Sequence, residues 1–156
     1  MKDIKEARYD NLYLDIAARV AKMSYARRLQ VGSILVKEGR IISMGWNGMP
    51  KGFDNNCEDE IEYDGTMAGR GKEVVLKTKP EVLHAESNLI LKIAASNESA
   101  KDSTLYVTHA PCIDCAKLIH QVGITKVIYG TDYRDTYGID FLRKCQVEVE
   151  RIQIEK

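Results

Sequence analysis

Apolar residues recur near the start of the chain at Tyr9, Leu12, Tyr13, Ile16, Ala17, Val20 and Met23, mostly three or four apart. That period places them on one stripe and predicts a helix over about 9–26 with one buried face. Two β-rich runs follow, Val31 to Val36 and Arg40 to Trp46, on either side of Glu38-Gly39. Such runs around a glycine-containing turn predict an antiparallel hairpin. The pattern then breaks down from Asn47 to about Leu83, where five glycines and two prolines are scattered among mixed charges. Loops beyond about 12–15 residues are uncommon in compact domains unless they are functional or disordered. This insert is therefore expected to be a lid or a ligand loop, with the five acids between Glu58 and Asp64 as a solvated part of it.

Order returns at His84, with helical spacing to about Ser96 that places Leu89, Ile90, Ile93 and Ala94 on one face. A strand over Thr104 to Thr108, a helix from Cys112 to Val122 and a strand over Lys126 to Tyr129 follow. A short helix from Gly138 to Lys144 and a last strand from Val147 to Ile154 complete the chain. Strands alternating with helices imply parallel pairing with helices on both faces of the sheet. Together with the hairpin, this predicts one α/β domain over 1–156, a three-layer α/β/α sandwich around a five-stranded mixed sheet.

Composition narrows the function classes. The 156 residues are 44% apolar and 29% charged, an ordinary globular balance with enough chain to bury a core. Lys+Arg and Asp+Glu are both 23, so the net charge is +0 and no global field draws a polyanion. A small ligand is favoured over nucleic acid. No apolar stretch is long enough to span a bilayer and the N-terminus has no apolar targeting core, so a cytoplasmic protein with reduced thiols is expected.

The chemistry lies in His84-Ala85-Glu86 and Pro111-Cys112-Ile113-Asp114-Cys115. One imidazole and two thiolates in C-x2-C spacing make three zinc ligands, the number that a catalytic zinc takes while leaving its fourth position for water. Both halves fall at predicted helix starts, where free N–H groups and the helix dipole favour thiolate. Glu86, two residues past His84, is placed to reach water without ligating the metal. Asp114 should point outward from its turn and is not expected to act. Two other readings exist. C-x2-C between strand and helix also describes a thioredoxin-like redox pair, but those folds place a proline after the motif and here none follows Pro111. His109, three residues before Cys112, offers a fourth ligand and hence a structural zinc, which would leave Glu86 without a purpose.

H-x-E followed by P-C-x-x-C is the signature of zinc deaminases acting on cytosine or adenine. From about Gln30 onward the chain resembles one family among them, the deoxycytidylate (dCMP) deaminases, with a cytidine deaminase-like fold. The resemblance is carried by Val31-Gly32, Gly45-Trp46-Asn47-Gly48-Met49-Pro50, His84-Ala85-Glu86-x-Asn88 and Tyr106-Val107-Thr108, then by Pro111-Cys112-x-x-Cys115-Ala116-Lys117 and Gly123-Ile124. The Gly45 to Pro50 stretch sets these enzymes apart from tRNA adenosine deaminases. The resemblance implies hydrolytic deamination of dCMP to dUMP, a thymidylate precursor, with one Zn2+ on His84, Cys112 and Cys115 and Glu86 as proton shuttle. It also implies substrate contacts from Asn47 and Tyr133 and a homo-hexamer. Activation by dCTP and inhibition by dTTP, with Mg2+ accompanying the effector, would involve a loop that includes Asn47, Gly48 and Lys51. A second, structural zinc found in some members needs extra Cys and His, and the insert holds only Cys57. A phosphate needs cationic or N–H partners, and Arg27, Arg28, Lys51 and Arg134 remain open. The alternatives are deamination of a related nucleoside, modified nucleotide or tRNA base, or a zinc-binding module without turnover.

Overall fold

The computed structural model describes residues 2–154. Helix α1 (Ile4–Ala21) is opened by Asp3, whose carboxylate accepts the Glu6 N–H at 2.7 Å. The helix therefore begins and ends earlier than the predicted 9–26. Ser24 explains the end: its hydroxyl donates to the Asn47 carbonyl at 2.7 Å and accepts the Ala26 N–H at 3.1 Å, contacts that draw the chain out of the helix. The buried stripe is Asp10, Tyr13, Leu14, Ala17, Val20 and Ala21, whereas Tyr9, Leu12 and Met23, predicted to be inside, are exposed.

Strands β1 (Gly32–Lys37) and β2 (Arg40–Trp46) form the predicted hairpin. Its two turn residues both have positive φ, 52° at Glu38 and 75° at Gly39, the conformation that matches a two-residue turn to the strand twist. Three further strands, β5 (Thr104–His109), β6 (Lys126–Thr131) and β7 (Glu148–Arg151), complete a sheet of order β2-β1-β5-β6-β7. β5, β6 and β7 run parallel and β1 is antiparallel to β5, so the sheet is five-stranded and mixed, as predicted. The last strand is shorter than the expected 147–154: it ends at Arg151, and it starts one residue late because Val147 is used in the turn after the preceding helix, its N–H donating to Leu142 O at 2.9 Å.

Alternation along the strands sorts the core into two layers. Leu35, Leu105, Val107, Val127 and Tyr129 belong to a cluster with Leu89, Ile119 and Leu142 of helices α2 (Ala85–Ala94), α3 (Ile113–Gln121) and α4 (Tyr137–Lys144). Ile34, Val36, Tyr106 and Ile128 pack instead with Tyr13, Leu14, Ala17 and Val20 of α1. Three helices thus cover one face and a single helix the other.

The 47–83 insert is more ordered than its composition suggests. Strands β3 (Glu58–Asp64) and β4 (Lys72–Thr78) pair antiparallel in a separate two-stranded sheet, joined through a short turn of helix at Thr66–Ala68. The acidic run expected as a solvated loop is therefore a strand. Two of its five acids are opposed by bases, Asp59 facing Lys77 and Asp64 facing Lys72, and opposite charges across an antiparallel pair stabilise it. The excursion closes on itself at its root: Gly48 and Leu83 exchange main-chain hydrogen bonds of 3.0 and 2.8 Å.

A polar tie runs under α1. The Tyr106 hydroxyl donates to buried Asp10 at 2.6 Å, and Lys2 lies 2.6 Å from the other Asp10 oxygen and 2.7 Å from Glu150. Removing one partner from a buried pair leaves the other unsatisfied, which costs about 1–3 kcal/mol. Tyr106→Phe is expected to destabilise the protein by about that amount in urea unfolding. A change smaller than about 0.5 kcal/mol would show that Lys2 alone satisfies Asp10.

Candidate active site

His84 and Cys112 hold equivalent positions in their elements. Each is the N-cap of a helix, in extended conformation, with φ/ψ of −74°/159° for His84 before α2 and −70°/167° for Cys112 before α3. Cys115 lies one turn further along α3. Their donor atoms converge, all within 4.8 Å of one another, with His84 Nδ1 3.5 Å from Cys112 Sγ and 3.4 Å from Cys115 Sγ. This donor set fits a tetrahedral zinc ion with one position left open. Among the described residues no fourth His, Cys or carboxylate joins the cluster. His109, the rival ligand, lies outside it, its Nδ1 2.9 Å from the Thr108 hydroxyl.

Two glycines let the helix starts meet. The first turn of α2 crosses β2 so closely that a Cβ on Gly45 would sit 2.3 Å from Ala85 O and 2.6 Å from Leu89 N. Hydrogen bonds hold that approach: the Ser33 hydroxyl donates to Ala85 O at 3.1 Å, and the Asn88 amide to Trp46 O at 2.8 Å. The start of α4 presses equally closely on the turn before α3, where a Cβ on Gly138 would meet Pro111 O at 2.1 Å.

Protonation in the cluster follows from these contacts. Cys112 is drawn down to about 4, chiefly because the Cys115 thiol donates to its sulfur and His84 adds a further hydrogen bond. Cys115, the donor in that pair, is pushed up. Hydrogen bonding to Cys112 holds His84 above its usual value against the opposing effect of burial. Glu86 is 4% exposed, and burial pushes its carboxyl up to about 7 despite the nearby imidazole. The neighbouring Cys115 thiol hydrogen bonds to it. Positioned acid–base groups work best with a pKa near the operating pH.

A cavity of about 110 Å³ opens beside the cluster, bounded by His84, Glu86, His109, Ala110, Cys112, Val31 and Asn47. It adjoins a wider depression, sharing Arg28, Thr78, His84, Cys112 and Tyr133 with it. Lys77 and Arg134 line that outer part, with the Arg134 guanidinium 5.4 Å from the centre of the Tyr133 ring.

The residues singled out from the sequence divide accordingly. His84, Glu86, Cys112, Asn47, Tyr133 and Arg28 border the cavity, Cys115 completes the cluster and Arg134 lines the depression, while Gly48, Lys51 and Arg27 line neither. Arg27 is committed elsewhere, donating to Glu60 at 2.8 Å and Asn56 at 3.1 Å. Asn47 borders the cavity with both ends of its amide engaged by the main chain: its oxygen accepts the Val31 N–H and its nitrogen donates to Leu29 O, both at 2.8 Å. Reasoning from sequence missed Glu58, Thr78 and Val82, which join the wall from the insert. No motif marks them, because their approach depends on how the insert folds back.

Converging Cys and His donors, a buried carboxyl and a cavity whose mouth carries Arg28, Lys77 and Arg134 alongside Asp114 and Asp135 describe a metal-dependent hydrolytic site on an α/β/α sandwich. Comparison with known proteins narrows that class. Residues 7–131 match the family described as the cytidine and deoxycytidylate deaminase zinc-binding region, and the chain belongs to that family. It is 34% identical over 166 residues to the deoxycytidylate deaminase of Enterobacteria phage T2, covering 87% of this chain and 88% of that protein. The human deoxycytidylate deaminase is 37% identical over 127 residues, 80% of this chain and 66% of that one. The dCMP deaminase of cyanophage S-TIM5, crystallised in complex with dCMP and dUMP, superposes with a TM-score of 0.81 at 41% identity, covering 97% of this chain and 99% of that one. The cytidine deaminase-like fold expected from the resemblance is thereby established.

Gly45→Ala and Gly138→Ala are each expected to weaken metal retention by displacing His84 or Cys112 respectively. Competition with a chromogenic chelator measures this, and disturbing the groups that orient metal ligands typically costs about 10–100-fold in metal affinity. Wild-type retention in both variants would mean that the helix starts can shift without opening the cluster.

Proposed function

We propose that the protein hydrolyses dCMP to dUMP with release of ammonia. The observation that carries this reading is the buried Glu86 carboxyl beside three donors that converge within 4.8 Å. The dCMP and dUMP bound by the 41%-identical cyanophage enzyme support the choice of substrate.

Zinc held by His84, Cys112 and Cys115 would supply a Lewis acid that brings the pKa of water to about 7. The remaining work falls to the chain. Glu86 takes the proton of the attacking water as its oxygen bonds to C4 of the cytosine ring. The carboxyl then delivers that proton to ring N3, takes up the second water proton and passes it to the amine as the C4–N bond breaks. One water enters and one ammonia leaves, with a carbonyl left at C4. Burial raises the Glu86 carboxyl above the ordinary carboxylate range, the direction in which a carboxyl gains the ability to accept a proton as well as release one. Val31, fixed by the Asn47 amide, and Ala110 shape the wall against the ring. Tyr133 lies at the mouth, where Arg28, Lys77 and Arg134 are cations available to the phosphate.

Product dUMP would serve thymidylate synthesis in the cytoplasm. Family resemblance further supports a homo-hexamer activated by dCTP with Mg2+ and inhibited by dTTP. The bridge between Gly48 and Leu83 gives the effector-loop segment a direct mechanical link to His84, one residue beyond Leu83.

Glu86→Gln is expected to keep one zinc per chain and lose about 10²–10⁴-fold in turnover, whereas His84→Ala should lose the metal as well. Metal analysis alongside ammonia release distinguishes the two. A Glu86→Gln enzyme within about tenfold of wild type would show that another group carries the protons.

Ammonia release from a panel of cytosine and adenine nucleosides, nucleotides and oligonucleotides tests the substrate. Activity is expected to be confined to dCMP, with the substrate curve sharpened by dCTP–Mg2+ and opposed by dTTP. Comparable efficiency on deoxycytidine contradicts the substrate, and superimposable curves with and without effectors contradict the regulation.

A further inference from the structure

The root of the β3–β4 hairpin carries a buried acid for which the deamination chemistry has no use. Glu58, 1% exposed, stands where β3 leaves the body of the protein. Its carboxylate accepts the main-chain N–H of Arg27 at 3.2 and 3.0 Å, one contact to each oxygen, and that of Arg28 at 2.9 Å. Hydrogen bonds to a charged acceptor are roughly twice as strong as neutral ones, so two consecutive N–H groups on one carboxylate fix the backbone there. The Arg27 side chain closes this latch from outside. Its Nε is 3.7 Å from Glu58, and its Nη2 donates at 3.1 Å to Asn56, whose side-chain oxygen also accepts the Glu58 N–H at 3.3 Å.

Arg28 has a different fate. Its guanidinium extends to Thr78 on β4, 3.4 Å from the hydroxyl, and it borders both the inner cavity and the outer depression. Thr78 is the residue paired with Glu58 across the hairpin root. The same pair of facing residues therefore holds Arg28 at its backbone and at its tip. Glu58 itself borders the cavity, yet both of its oxygens are turned to the latch. An unlatched acid at that point would oppose an anionic ligand.

We propose that Glu58 is a positioning residue. Through the N–H groups of Arg27 and Arg28 it holds the Arg28 guanidinium where the anionic group of a substrate seated at the metal cluster would lie, and so sets selectivity for a phosphorylated over an unphosphorylated nucleoside. This rests on the dCMP reading above and extends it to a residue that takes no part in the chemistry. Pre-ordering a flexible arginine lowers the ordering cost of binding, so the effect falls on KM more than on kcat.

Steady-state kinetics on dCMP and deoxycytidine with wild type, Glu58→Gln, Arg28→Ala and the double variant test the proposal. In Glu58→Gln, which keeps the size but loses the charge, KM for dCMP is expected to rise about tenfold while kcat changes by less than about threefold. The ratio of kcat/KM for dCMP to that for deoxycytidine then falls about tenfold with zinc content unchanged. Arg28→Ala lowers the ratio at least as far, and adding Glu58→Gln to it lowers it no further, since both act through one contact. If Glu58→Gln does not fold, Glu58→Asp decides, since it withdraws the same charge by one methylene and should lower the ratio in the same direction. An unchanged ratio in a folded, zinc-loaded Glu58 variant overturns the proposal. So does an equal loss on both substrates, the mark of a merely structural role, or additive losses in the double variant. A wild-type enzyme without preference for dCMP overturns the substrate reading and this inference with it. Preference that persists undiminished in Glu58→Gln overturns the inference alone.

Discussion

Three donors from two helix N-termini must meet within 4.8 Å, and most of the structure around them serves that meeting. Two helices aimed at one point bring together the positive ends of their dipoles, which is unfavourable for a cation between them. Two cysteines resolve the conflict, because thiolates are stabilised by the same N–H groups that would repel a bare metal ion. The geometry then depends on backbone approaches that a single methyl group would prevent: Gly45 under the first turn of α2 and Gly138 against Pro111. The sheet supplies the frame. β5 ends at His109, the chain turns through Ala110 and Pro111, and α3 begins at once, so the cysteines lie at the C-terminal edge of a parallel strand, where α/β folds open their crevices.

Two buried glutamates at this site illustrate how surroundings divide one residue type into two roles. Glu86 is enclosed by the helix start and Cys115, with burial as the dominant influence on its carboxyl, and is suited to carrying protons. Glu58 is as deeply buried but surrounded by main-chain donors from Arg27 and Arg28, and is suited to holding a loop. The second arrangement exists only because the 47–83 insert folds into a hairpin whose root returns to the cavity. Lys79 donates to Cys57 O at 2.8 Å and Gly48 pairs with Leu83, so the long excursion starts and ends beside the chemistry.

Much of this was legible in the chain. The β-rich runs on either side of Glu38-Gly39 and the later β/α alternation led to the five-stranded mixed sheet, because those segments bury one or two faces and carry the pattern of burial in their composition. The insert was illegible for the converse reason. β3 is exposed along nearly its whole length, so the strand is held by its pairing with β4, including Asp59 opposite Lys77 and Asp64 opposite Lys72, and not by a core. The first helix was displaced at both ends because a cap at Asp3 and a hydroxyl at Ser24 outweighed an apolar period that runs on to Met23.

The sequence by itself determined the donor set and its carboxyl: His84, Glu86, Cys112 and Cys115 are declared by local spacing, since a helix start turns short intervals into shared direction. Only the tertiary structure decided what surrounds them. It left His109 outside the cluster, spent the Asn47 amide on Leu29 and Val31, tied Arg27 to Glu60 and Asn56, and brought Arg28 with Glu58 and Thr78 to the cavity. These assignments depend on partners up to fifty positions apart in the chain, as for Arg28 and Thr78. Spacing conveys direction within one element, whereas the pairing of polar groups between elements is settled only when the chain has folded and each buried donor must find an acceptor.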